Sequence, residues 1–221
     1  MTAPLELLRT AYGDLTGTLH DVAREGDQWA PTGCRGWTVH DLGFHLLGDT
    51  RRALVALNTP APGPADRDAA TYWAGWQPPQ PGDDDALRRT RVVASTALGF
   101  PELVEAYAEA AAAVLVAAGR VPAGELVRTQ GWVMEVDAVL STLVVEAAVH
   151  HLDLVARLDR SGPSAGPLAE VRRILAELAG GPLPARWDDV TAARRGTGRE
   201  ALTSTDRAEL GERADVFPLF G

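Results

Sequence analysis

Apolar residues recur at steps of three and four along almost the whole chain, a spacing that suits helices and little else. Leu5, Leu8, Tyr12, Leu15, Leu19 and Val22 form the first such stripe, so residues 4 to 24 are predicted to be an amphipathic helix. Thr38 then opens T-V-H-D, with Asp41 three residues on, a capping-box start; the second helix runs from Val39 to about Leu57. The stretch DDDALRRTRVVASTALGF begins with acids, as a helix N-terminus favours. Pro101 kinks that helix or starts a new one, and PELVEAYAEAAAAVLVAAG continues it to Gly119. Residues 120 to 131 read as a connection, and Val136 to Leu158 as a further strong helix. Strand signals are nearly absent. Four long helices imply an all-α fold, a four-helix bundle.

Proline and glycine crowd residues 58 to 82, a long loop with room for one short helix around Ala69 to Trp76. A loop that long in a compact domain is more often functional than idle. SGPSAGP, at 161 to 167, reads as a hinge. The bundle is therefore assigned residues 1–160. Residues 161–221, with a helix around Leu168 to Leu178 and a last helical turn, form a short extension packed on it.

Composition removes several function classes. The net charge is -9 and no stretch supplies a basic face, which argues against nucleic acid as a partner. All basic residues are Arg, which removes Schiff-base catalysis on a lysine. Cys34 is the single cysteine, so no disulfide forms within the chain, as suits a reducing cytoplasm. The N-terminus has early acids and no long apolar core, unlike a signal peptide. No uncharged apolar stretch approaches the roughly 20 residues of a membrane span. The expectation is a cytoplasmic protein, monomeric or homodimeric.

Against that background VVEAAVHHLDL, residues 144 to 154, is unusual: it places Glu146, His150, His151 and Asp153 in the greasiest helix. A helix turns about 100° per residue. Glu146 and His150 then lie about 40° apart on one face, which Asp153 shares, while His151 is about 140° from Glu146. Glu146 and His150 could converge on one ion, a recurrent way to build a metal site inside a bundle. A third ligand must come from elsewhere. Of the five histidines, His45 is the best candidate, mid-helix at the edge of the second apolar stripe; His40 sits in the first turn, and His20 is a weaker option. Two His and one Glu leave an open position, as in catalytic rather than structural zinc sites. The alternative from spacing alone is a polar cluster whose members pair with one another.

PTGCRGWTVHDLGFHLLGD, residues 31 to 49, resembles the opening motif of the mycothiol-dependent maleylpyruvate isomerase N-terminal family, within the DinB-like superfamily. LSTLVVEAAVHHLDL, residues 140 to 154, resembles that family's later helix with its Glu-x-x-x-His-x-x-Asp pattern. The tail from Trp187 onward is similar to a short segment of small family members. The resemblance implies a DinB-like bundle holding one divalent ion, usually zinc, on His45, Glu146 and His150. It also implies mycothiol, a cysteinyl pseudo-disaccharide, as the thiol cosubstrate. Its thiolate adds to an electrophilic small molecule; isomerases lose it again after bond rotation, and transferases keep the adduct. The sequence departs from the pattern: Gly33 and Arg35 stand where prolines are common, His40 where Arg is common, and a short tail replaces the isomerases' fuller C-terminal domain.

Around these residues, Asp49 and Arg52 share the face of His45, and with Asp153 they are assigned a supporting or substrate-contacting role. Tyr72 and Trp73, with Trp76, either roof a pocket or anchor the long loop. Arg199 either meets a substrate carboxylate or is a solvated turn residue. Cys34 is taken as structural and not as the nucleophile. The reading is a metal-dependent thiol enzyme, transferase or isomerase. The alternatives are a non-catalytic metal- or ligand-binding bundle and a metal-dependent hydrolase.

Overall fold

The computed structural model describes residues 3–76, 85–96 and 99–220. Four long helices carry the architecture: α1 (Ala3–Glu25), α2 (Val39–Leu57), α4 (Phe100–Ala118) and α5 (Val136–Val155), with the shorter α3 (Asp85–Ser95) beside α2. Each of α1 and α2 packs against both α4 and α5. Their apolar stripes close on one core that includes Leu8, Leu15, Leu19, Leu42, Leu103, Tyr107 and Leu140, all nearly inaccessible to solvent.

The local signals act as anticipated. The Thr38 side chain accepts the Asp41 amide and Asp41 reaches back to the Thr38 amide, a complete capping box. Pro101 occupies the first turn of α4, where its missing N–H costs nothing. It starts a new helix and does not kink an old one. The short helix anticipated around Ala69 to Trp76 is a 3-10 turn at Trp73–Gly75; the rest of that loop, 77–82, lies outside the described residues.

The connection before α5 differs from expectation. Residues 126–135 form a hairpin of β1 (Leu126–Thr129) and β2 (Trp132–Glu135). Gln130 and Gly131 turn it with φ of 47° and 89°, the paired positive values of a two-residue hairpin loop. Val127 and Met134 are fully buried against the bundle. The backbone of the long loop pairs alongside: the Ala61 amide donates to Leu126 and that of Arg128 to Thr59. Four residues per strand are too few for alternation to stand out, and the turn carries Gln where Asn or Asp would advertise it.

α5 is the one helix among the described residues long and apolar enough, by length and composition, to cross a membrane, yet 78% of its most apolar window is buried inside the protein. It is sandwiched. One face meets α1 and α2; the other, with Val145, Ala148, Val149 and Leu152, meets a second apolar cluster. That cluster is supplied by α6 (Ala165–Leu178), α7 (Asp189–Gly196), α8 (Ser204–Leu210) and the tail.

Asp206 holds these small helices together. Completely inaccessible, it accepts hydrogen bonds from Trp187 Nε1 (2.7 Å), Arg195 Nη1 (2.7 Å) and the Thr203 amide (2.8 Å), and pairs with Arg186. Burial pushes its carboxyl up, but Thr203, Trp187 and Arg195 outweigh that and hold it down at about 2. A carboxyl depressed on folding adds stability above its unfolded pKa and loses it as pH falls through the folded value. Asp206→Asn is therefore expected to destabilise the protein at neutral pH, and the gap to the parent should close between about pH 4 and pH 2. Urea titrations across that range check this.

Candidate metal centre

α2 and α5 cross where both carry ionisable residues at a four-residue spacing. His45 and Asp49 project from α2, Glu146 and His150 from α5, and one donor atom from each lies within 4.8 Å of all the others. His45 Nε2 is 3.2 Å from Asp49 Oδ2 and 3.4 Å from Glu146 Oε1. His150 Nε2 is 3.6 Å from the same Glu146 oxygen. The two imidazoles stand edge to face, 4.8 Å between centres.

This geometry fits a divalent cation. Ligands about 2.1 Å from a tetrahedral ion stand about 3.4 Å from one another, close to the 3.2, 3.4 and 3.6 Å of the three pairs above. His45 Nε2 and both Asp49 oxygens are buried without a well-directed hydrogen bond, although Arg52 reaches Asp49 as an ion pair. Buried polar atoms are rarely left so. Burial pushes the His45 imidazole below its ordinary pKa against the pull of Glu146, which favours the neutral, ligating form. Burial would raise the Glu146 carboxyl, but His150 and His45 more than offset it and keep it ionised.

Behind the donors stands a chain of charge-assisted hydrogen bonds. His150 Nδ1 is 3.0 Å from Asp153 Oδ2, and Asp153 is gripped by Arg199 through Nε (2.8 Å to Oδ1) and Nη2 (2.7 Å to Oδ2). Burial works against both charges of this pair; their contact and His150 hold Asp153 low, and the Asp153 contact holds Arg199 high. Cys34 Sγ is 3.3 Å from Asp153 Oδ2 and 3.8 Å from His150 Nδ1. His151 turns away, as its helical angle requires: its Nε2 is 2.9 Å from Thr18 Oγ1 on α1.

His45, Glu146 and His150 face a cleft of about 530 Å³, within the usual range for small-molecule sites. Arg52, Tyr72, Trp73 and Arg199 line it, as do Cys34 and Trp37. Trp73 lines the cleft and is also buried, stacked on Phe220 at 4.5 Å. Gln130 at the hairpin turn donates to the Tyr72 hydroxyl. Arg199 is no solvated turn residue, and the carboxylate it meets is the chain's own Asp153. That pairing and the approach of Cys34 escape sequence reading. Arg199 is 46 residues from Asp153 and Cys34 is 119, and no local periodicity reports such separations.

A helical bundle with His and carboxylate donors facing a cleft from two crossing helices is a DinB-like architecture. The sequence matches the family description "mycothiol maleylpyruvate isomerase N-terminal domain" over residues 8–155, and the chain belongs to that family. Curated proteins and solved structures gave no match. The matched region contains all four donors, Cys34 and Asp153; Arg199 and Phe220 lie beyond it.

Gly33 sits against this assembly, its amide donating to the Asp153 carbonyl at 2.8 Å. A Cβ there would lie 2.5 Å from Asp153 Oδ1 and 3.0 Å from its Cα. Gly33→Ala must displace one backbone or the other, and a loss of about 1–3 kcal/mol in urea unfolding is expected.

Proposed function

We propose that the protein is a divalent-metal-dependent enzyme that activates mycothiol, or a similar small thiol, for addition to an electrophilic small molecule, as an S-transferase or as a maleylpyruvate-isomerase-like isomerase. The observation that carries this is the convergence of His45, Asp49, Glu146 and His150 donor atoms within 4.8 Å, with His45, Glu146 and His150 lining a cleft. Of these, His45, Glu146 and His150 are the proposed ligands, and zinc suits two imidazoles and a carboxylate. Bound there, the cation supplies a Lewis acid that makes a thiol acidic near neutral pH.

The chain's own residues then have separable tasks. Asp153 accepts a hydrogen bond from His150 Nδ1–H, which leaves Nε2 directed at Glu146; a carboxylate behind a ligating imidazole fixes its tautomer in this way. Arg199 holds Asp153 in place from the C-terminal extension, so residues 161–221 contribute to the site. Asp49 supports His45 and is itself held by Arg52. Cys34 is not the nucleophile in this reading: the reacting sulfur belongs to the cosubstrate, and addition of its thiolate to a conjugated or activated carbon forms the C–S bond. A transferase retains that bond; an isomerase breaks it again after rotation.

Metal content by mass spectrometry on protein purified without a His tag is expected to show about one zinc per chain, lost in Glu146→Ala. Arg199→Ala should keep the ligands but bind zinc some 10–100-fold more weakly in a chelator competition. Thiol-dependent turnover of a fluorogenic electrophile is expected to survive Cys34→Ala and to vanish in His45→Ala. Protein that takes up no zinc even when it is added back would sink the catalytic reading.

A further inference from the structure

The cleft's charges and its wall together indicate what the second substrate is. Arg199 and Arg52, two of the guanidinium groups that line it, are committed to the chain's own carboxylates. Arg199 makes a two-pronged pair with Asp153 and also donates to the Thr197 carbonyl at 3.2 Å; Arg52 pairs with Asp49. A carboxylate substrate could take the Nε–Nη2 edge of Arg199 only by displacing Asp153, which is 2% exposed and would keep only His150 and Cys34 beside its buried charge. That outcome is strongly unfavourable. The two charges of a divalent cation at the donors are balanced by Glu146 and a thiolate, so the loaded floor of the cleft closes neutral. Arg35 lies on the exposed rim, where water and salt screen a charge.

The wall is aromatic and aliphatic. Trp73 stacks on Phe220 at 4.5 Å with planes 24° apart. Tyr72 stands edge-on to Trp73 at 5.0 Å. Trp76 lies 6.2 Å from Tyr72 and remains 46% exposed. Val149, on the turn of α5 that carries His150, adds an apolar floor. Aromatic surfaces favour flat apolar partners that offset-stack or meet them edge-on.

We infer that the electrophile is an uncharged, flat, apolar molecule, aromatic or conjugated, and not an anionic keto acid of the kind the family description names. This deepens the thiol-enzyme reading and rests on it for the chemistry and for the neutral loaded floor; the committed guanidiniums and the aromatic wall are features of the cleft alone. With an activated aryl chloride as the probe, the thiol sulfur bonds to the ring carbon, chloride leaves with the bonding pair, and the thiol proton goes to solvent.

Two matched pairs test this. Unreactive 1,3-dinitrobenzene and 3,5-dinitrobenzoate differ by one carboxylate. Equilibrium dialysis measures their binding to zinc-loaded protein with saturating mycothiol, and to protein kept metal-free with chelator. Reactive 1-chloro-2,4-dinitrobenzene and 4-chloro-3,5-dinitrobenzoate, with mycothiol and zinc, measure turnover above the uncatalysed rate. The neutral ring is expected to bind at least about tenfold more tightly in both dialysis arms, a difference of about 1.4 kcal/mol, and to be the better substrate. Trp76→Ala, at an exposed position, should weaken its binding severalfold. Asp153→Asn, which frees Arg199, should strengthen binding of the benzoate. Equal or tighter binding of the benzoate by the unaltered protein, or no binding of either ring, overturns the inference. Tight binding of the neutral ring with no turnover of either chloride leaves the inference standing and removes the thiol-enzyme reading instead.

Discussion

The crossing of α2 and α5 is the contact on which the rest depends. It brings two histidines and two carboxylates together inside an otherwise apolar bundle. Buried ionisable groups cost stability unless each is paired, and here the pairing is incomplete: His45 Nε2 and the Asp49 oxygens have no well-directed partner. A fold that only needed to be stable would place leucines at this crossing. The cost is tolerated at one spot, and the surrounding packing is conventional.

Much of the remaining architecture supports that spot. α5 is covered on its outer face by α6, α7 and the tail, which is how so apolar a helix comes to be buried on both sides. The same cover delivers Arg199 to Asp153. Asp206, buried under Trp187, Arg195 and Thr203, locks the small helices that carry it. One chain of bonds therefore runs from the last sixty or so residues through Asp153 to His150. Family membership accounts for the bundle over residues 8–155, whereas the clamp on Asp153 comes from beyond it.

Legibility in the sequence followed the range of the interactions. The helix start at Thr38 is legible because a cap involves neighbours three residues apart, whereas Pro101 fits a kink or a new start equally and only the structure shows the start. Glu146 and His150 were readable as a pair because four residues is just over one helical turn. His45 was reached by elimination among five histidines and by resemblance; no local spacing joins it to α5. The hairpin at 126–135 leaves little mark in the sequence because its strands are short and its turn lacks the usual Asn or Asp. Arg199 carried no local mark at all.

What the sequence determined by itself was helical class, capping, and which residues share a face, since each depends on atoms a turn or less apart along the chain. What only the tertiary structure decided was which faces meet: His45 against Glu146, Arg199 against Asp153, Trp73 against Phe220. Those contacts join residues 46 to 147 positions apart. They form because burying the apolar stripes together brings the helices into one arrangement, and the polar groups must find partners within it.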